Sequence, residues 1–105
     1  MIGAGGSGCE FGKSLALQGI GCIGKILILD DDYIEMSNLN RQHMFRHEDV
    51  GKPKAEMLAI RMKEMRPWMK NVEGRCQRFD FSTVGTINWE KVDLIFSAVD
   101  SISGR

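Results

Sequence analysis

Apolar positions along the chain follow two rhythms, and their order predicts the architecture. Residues 25–30, Lys-Ile-Leu-Ile-Leu-Asp, form a continuous apolar run closed by an acid, as expected of a strand covered on both faces. Residues 71–76 predict a weaker strand and residues 93–99, Asp-Leu-Ile-Phe-Ser-Ala-Val, a strong one. Between the first two of these strands Ala55, Leu58, Ala59, Met62 and Met65 recur at helical spacing, while Glu56, Arg61, Lys63 and Glu64 fall on the side expected to face water. That helix should start near Pro53, a favoured first-turn residue, and end before Pro67, because proline restricts the residue preceding it. Near the N-terminus Ile2 reads as the last residue of a strand. Gly3 to Gly8 make a glycine-rich turn into a helix over 8–18, ended by Gly19 and Gly21. Residues 82–90 predict a loop or short helix. Strands alternating with helices imply an α/β fold: Rossmann-like, doubly wound, with a mainly parallel sheet and helices on both faces.

Composition adds limits. With 105 residues, 43% apolar and 27% charged, the chain is one domain at most, able to bury roughly 65% of its unfolded surface. Fourteen basic residues against fourteen acidic give no net charge, hence no electrostatic case for nucleic acid or an anionic membrane; any anion must be held locally. No apolar stretch approaches the ~18 residues of a membrane span, and a signal-peptide pattern is missing, so the expected compartment is cytoplasmic, nuclear or both. Cys9, Cys22 and Cys76 are odd in number and lack CxxC spacing, which argues for small buried apolar residues rather than a disulfide framework or a zinc site.

Gly3-Ala4-Gly5-Gly6-Ser7-Gly8 fits G-x-G-x-x-G between a strand and a helix. Residues without side chains let the backbone approach a phosphate, which free amides and the positive helix end then hold. A tight turn with glycine at positive φ would read the same way. Asp30 shifts the balance: it lies 22 residues after Gly8 at a strand end, where an acid can accept both ribose hydroxyls. A nucleotide site follows, although an NAD-dependent dehydrogenase would carry these same features.

The stretch Asp30-Asp-Asp-Tyr-Ile-Glu-Met-Ser-Asn-Leu-Asn-Arg-Gln42 bears on that choice. A nicotinamide site needs little here beyond Asp30, whereas Asn38, Arg41 and Gln42 add donors suited to a longer polyphosphate. The Arg41 guanidinium is a planar fork matched to phosphate oxygens; pairing with Glu48 or Asp49 at the surface is an equally good reading. Lys54 falls in the first turn of its helix, unfavourable against the helix dipole unless an anion compensates, or else simply solvated. Asp100 ends the last predicted strand, beyond the carboxyl edge where ligands of such sheets bind, and a lone carboxylate there could hold Mg²⁺ beside phosphates. Asp30, Asp31 and Asp32 look like a poor metal cage, because alternate residues at a strand end point in opposite directions.

Together, Gly3-Ala-Gly-Gly-Ser-Gly-Cys-Glu10, Asp30-Asp-Asp-Tyr-Ile34, Ser37-Asn-Leu-Asn-Arg-Gln42, Gly51-Lys-Pro-Lys-Ala-Glu56 and Asp100…Arg105 closely resemble the adenylation domain of the ubiquitin-activating enzyme family, part of the ThiF/MoeB/HesA superfamily. The resemblance covers essentially the whole chain. Ser37 to Gln42 and Gly8-Cys9-Glu10 lean toward the eukaryotic branch that activates ubiquitin, NEDD8 or SUMO. Asp100-Ser101-Ile102 leans toward the catalytic subunit that activates NEDD8. The resemblance implies ATP-dependent adenylation of a ubiquitin-like protein's C-terminal carboxylate. Gly3, Gly5 and Gly6 would give backbone contacts to the nucleotide and Asp30 would hold the ribose. Asn38, Arg41 and Lys54 would contact phosphates, with Arg41 and Lys54 the catalytic pair; Gln42 would support them. Asp100 would bind Mg²⁺, Ser101 would lie beside the nucleotide, Asp32 would act from behind Asp30, and Asp31 would be solvated. His43 and His47 receive no catalytic role. Implied partners are the ubiquitin-like protein, a pseudo-symmetric partner subunit or second adenylation half, and a downstream conjugating enzyme.

Only Met1 and Ile2 precede the glycine turn and the chain stops at Arg105, so residues 1–105 are expected to be part of one ATP-binding adenylation domain truncated at both ends, inactive when isolated. The family's N-terminal arginine, zinc cysteines and thioester-forming cysteine are not matched by any residue. Rival readings are an activator of a bacterial-type sulfur-carrier protein, an NAD-binding oxidoreductase, and a non-catalytic partner half.

Overall fold

The computed structural model describes residues 1–19, 24–66, 71–78, 80, 85–87, 89–92 and 94–98. Four parallel segments lie side by side. Strand β1, Ile26–Asp30, pairs in parallel with strand β2, Val72–Cys76, in the register Ile26 to Val72 through Asp30 to Cys76. On the other edge of β1, Ile2 makes a one-residue parallel pairing with Leu29 and, across itself, another with Ser97. The Gly3 N–H donates to the Leu29 carbonyl at 2.8 Å, the Ile2 N–H to Phe96 at 2.8 Å and the Ala98 N–H to Ile2 at 2.7 Å. The order is therefore β2, β1, residues 1–3, residues 96–98, with the direction of winding reversing at residues 1–3. This is a Rossmann-like α/β fold, and a reversal of that kind opens a crevice at the carboxyl ends of the strands.

Helix α1, Gly6–Gln18, starts two residues before the glycine pattern predicts. No side chain caps its first turn, whose free amides remain available to a ligand. It ends where expected, at Gly19 with φ 76°; Gly21 lies outside the described residues. Arg66 donates to the Ala16 and Leu17 carbonyls, both at 3.1 Å, closing that end with a cation. Helix α2, Lys54–Met65, follows Pro53 and packs on β2, β1 and α1. Two glycines permit the close approaches. A Cβ on Gly8 would sit 2.3 Å from the Gly3 carbonyl oxygen, and one on Gly74 would sit 2.1 Å from that of Ala55. The core, built around Ile28, Ile34, Leu58, Met62 and Cys9, lies between the two helices and the sheet. No helix among the described residues is long and apolar enough to cross a membrane.

Several expectations need correction. Arg61 does not face water: it is buried and forked onto the wholly buried Asp49, a tertiary partner that helical periodicity cannot reveal. Met65 is only partly buried at the edge of the core. The strong strand over 93–99 reduces, within the described residues 94–98, to the single pairing at Ser97; a ladder needs a facing backbone, and among the described residues Ile2 alone pairs with it. Leu94 and Ile95 are consequently exposed. Of residues 82–90, those described include a turn at 85–87 and the start of the 3-10 turn Trp89–Lys91.

Candidate functional site

At the carboxyl ends of the strands lies a cavity of about 870 Å³. Gly3, Gly5, Gly6, Asp30, Asn38, Arg41, Gln42 and Lys54, singled out from three separate stretches of sequence, all line it. Asp100 and Ser101 lie outside the described residues.

Asp30 joins the glycine turn to the end of β1. Its Oδ2 accepts the Ala4 N–H at 2.7 Å and its Oδ1 accepts the Asp32 N–H at 2.7 Å. Each oxygen keeps a second lone pair, so two hydroxyls of a bound sugar can still be received. The chain leaves strand geometry after Asp30, so side-chain alternation stops there. Carboxylate oxygens of Asp30, Asp31 and Asp32 lie within 4.8 Å of one another, contrary to the argument that they must diverge. Asp31 and Asp32 are exposed.

Lys54 is not a solvated lysine. Its side chain is 9% exposed, and its ammonium stands 3.9 Å from the Asp32 carboxylate, itself 70% exposed. A cation in the first turn of a helix, almost out of water, with one distant and solvated counter-charge, is placed to meet an anion. Arg41 is exposed on the cavity wall, and among the described residues no ion pair holds it. Asp49 is taken by Arg61, and Glu48 lies between Arg46 and Arg61, so neither surface pairing foreseen for Arg41 exists.

Asn38 and Gln42 sit deeper. The Asn38 side-chain oxygen accepts the Glu35 N–H at 2.9 Å, and its main-chain carbonyl accepts the N–H groups of Arg41 and Gln42 at 3.2 and 2.9 Å. Asn38 thus shapes the turn that presents Arg41. Gln42 is 3% exposed, yet its Oε1 has no partner among the described residues, and the same holds for the buried Oε1 of Gln77, which also lines the cavity. Two buried amide oxygens without donors in one polar cavity are the mark of a site completed by water or ligand. A Cβ on Gly6 would meet nothing within 4 Å, which leaves room beside the helix amides.

Ser7, Tyr33, Glu35, Gln77 and Arg78 also line the cavity without having been singled out. Gln77 and Arg78 follow β2 directly, and the rule that ligands sit beyond strand carboxyl ends would have found them. The Tyr33 hydroxyl is held above its ordinary pKa, chiefly by the neighbouring Cys76 side chain. Burial pushes the Cys9 thiol up to about 12, an inert core group; Cys76 is half-buried, and Cys22 lies outside the described residues. His43 and His47 are exposed on the loop.

With that geometry in place, comparison with known proteins assigns the chain. It belongs to the ThiF family, whose pattern matches residues 1–105. It is 39% identical over 110 residues to ubiquitin-activating enzyme E1 2 of Triticum aestivum, with 100% of this chain and 10% of that one aligned. It is 40% identical over 105 residues to the NEDD8-activating enzyme E1 catalytic subunit of Caenorhabditis elegans, covering 100% of this chain and 23% of that one. Among solved structures, E. coli MccB with ATP superposes with a TM-score of 0.71 at 31% identity, over 82% of this chain and 25% of that one. The chain thus spans between a tenth and a quarter of the length of these curated relatives.

Proposed function

We propose that this chain is the nucleotide-binding part of an enzyme that adenylates the C-terminal carboxylate of a ubiquitin-like protein. The observation that carries the reading is the meeting, in one cavity, of an uncapped helix end, a ribose-competent Asp30, an Arg41 held by no ion pair among the described residues and a buried Lys54 whose one ion pair is a 3.9 Å contact with exposed Asp32. ATP fits these residues. Its sugar hydroxyls find the free lone pairs of Asp30, its phosphates find the first-turn amides, and the amino group of its base is a donor of the kind the orphaned Gln77 oxygen lacks.

In the reaction the carboxylate oxygen attacks the α-phosphorus. The bond to the bridging oxygen breaks, its electron pair leaves with pyrophosphate, and an acyl-adenylate remains. Two anions must approach, so the work of the site is alignment and charge compensation. Arg41 and Lys54 offset the charge that develops on the phosphates. Asn38 holds the turn carrying Arg41, and Asp32 stands 3.9 Å from the Lys54 ammonium at the cavity wall. Magnesium bound to the phosphates would add further neutralisation; Asp100, with Ser101 beside it, is its proposed protein ligand.

ATP–pyrophosphate exchange dependent on an added ubiquitin-like protein tests the reading, using the longest gene product that contains this chain. Arg41→Ala and Lys54→Ala should each lower exchange by roughly 10²-fold, the loss of about 2–4 kcal/mol of charge stabilisation. Exchange near the wild-type rate would make them surface charges. Asp100→Asn should abolish exchange at ordinary magnesium and recover partly at high magnesium. The bacterial neighbour bound to ATP keeps an alternative acceptor open, a bacterial-type sulfur-carrier protein, and a panel of acceptor proteins in the same assay separates it from ubiquitin, NEDD8 and SUMO. Tighter binding of NAD than of ATP would favour an oxidoreductase. Binding of ATP without exchange would favour a non-catalytic partner half. Residence in cytoplasm or nucleus is part of the proposal, as are a pseudo-symmetric partner subunit and a downstream conjugating enzyme.

A further inference from the structure

Between β1 and α2 the chain carries Asn38, Arg41 and Gln42 on a segment whose only regular structure is two 3-10 turns, Met36–Asn38 and His47–Asp49. Its two ends are zipped together. The Ile34 N–H donates to Lys52 at 2.9 Å, the Gly51 N–H to Ile34 at 2.8 Å and the Lys54 N–H to Asp32 at 3.0 Å. Zipping closes the loop but does not set how its body lies on the helix.

Asp49 makes that connection. Its side chain is fully buried; Oδ2 accepts the Arg46 N–H at 2.9 Å and Arg61 Nε at 3.1 Å, and Oδ1 accepts Arg61 Nη2 at 2.6 Å. The remaining fork of Arg61, through Nη1, donates to both oxygens of Glu64 at 2.6 and 2.8 Å. Arg61 stands seven residues after Lys54, two turns along α2 and on the same face, and both side chains are buried. One end of that face meets the nucleotide cavity and the other grips the loop. Neither Asp49 nor Arg61 lines the cavity.

We propose that the buried Asp49–Arg61 pair is a positioning device for the nucleotide site, fixing the rotation of α2 that aims Lys54 together with the lie of the loop that presents Asn38, Arg41 and Gln42. An apolar pair of similar volume would hold helix to loop as firmly. A bidentate fork onto one carboxylate allows far fewer relative rotations, and rotation is what a lysine aimed at a phosphate requires. The inference rests on the ATP reading above.

The test uses the longest gene product containing this chain. Removing Arg61 alone would strand a buried carboxylate, so the informative variant is Asp49→Asn with Arg61→Met, which removes both charges at nearly constant volume. It should fold, and it should weaken ATP binding by at least about 10-fold, the scale of a small misplacement of binding groups. In that background Lys54→Ala should cost less than half of what it costs in the wild type, because the lysine is already misaimed. Arg61→Lys, keeping charge without the fork, should recover little of the lost affinity. ATP binding within twofold of wild type, or strict additivity with Lys54→Ala, would overturn the positioning role even if the melting temperature falls. Failure of the wild-type protein to bind ATP would overturn the nucleotide reading itself, and this inference with it.

Discussion

The two walls of the cavity are built by opposite means. The glycine turn, residues 3–8, is mostly backbone: it works because side chains are missing, and the side-chain ties at Ala4 come from outside it, from Asp30 and the Cys9 thiol. The facing loop, residues 31–53, is held by side chains, with Asn38 folding one turn, Asp49 another, and Ile34 and Phe45 buried beneath. A wall made by exclusion should fail by collision, whereas a wall made by polar ties should fail by losing partners. Substitutions can separate these two modes.

The largest effect belongs to the first wall. Gly8→Ala would place a methyl 2.3 Å from the Gly3 carbonyl oxygen, backbone against backbone, with no flexible group to yield. A cost above about 4 kcal/mol is expected, enough to abolish a cooperative thermal transition. A normal transition for this variant would mean that the turn is far more pliable than its geometry implies.

Next comes the polar wall. Asp49→Asn keeps the shape but strips Arg61 of its buried counter-charge, leaving it only the more exposed Glu64 and Glu48, for an expected loss of about 3 kcal/mol at neutral pH. The wild-type pH profile carries the same signature. Burial pushes the Asp49 carboxyl up, but the Arg61 fork and the Arg46 amide outweigh it and hold the group below its ordinary 3.8. A depressed carboxyl stabilises the fold above its unfolded pKa, and that stability drains away as pH falls through the lower folded value. Urea melts of wild type should weaken below about pH 4, with a flatter acid limb in Asp49→Asn. Parallel acid limbs would show that Asp49 does not titrate against Arg61.

The smallest effect on stability has the opposite sign. Gly6 opens α1 and a Cβ there meets only empty space, so Gly6→Ala should stabilise the fold by about 0.5 kcal/mol. The same methyl would occupy room beside the amides where phosphate is proposed to sit, and ATP affinity should drop. Stabilisation together with undiminished ATP binding would move the phosphates elsewhere.

The two walls also differed in how far the sequence disclosed them. The glycine turn is local: three glycines at fixed offsets, a strand before, a helix after, and an acid closing the next strand. Period and spacing suffice to place such a feature, and α1 shifted by only two residues from its expected start. Candidates on the loop were visible as residue types, but their surroundings were not. Periodicity put Arg61 in water because the helix alone cannot reveal that Asp49, twelve residues earlier, folds under it. Nor could it reveal that Lys54 is buried, with a carboxylate 22 residues earlier, Asp32, 3.9 Å from its ammonium. Polar contacts between distant segments leave no period in a sequence.

Gly74 gives this site a fixed dimension. With the Ala55 carbonyl oxygen only 2.1 Å from where its Cβ would stand, the first turn of α2 rests on the bare backbone of β2. Lys54 belongs to that turn, so the separation between its ammonium and the mouth of the cavity is gauged by the thickness of a peptide chain without a side chain. A single methyl would act as a shim under one end of the helix, lifting and tilting it, and the reach of Lys54 would change though every residue of the cavity kept its identity. Mutational scans that score only cavity residues would therefore overlook a position that sets where Lys54 stands.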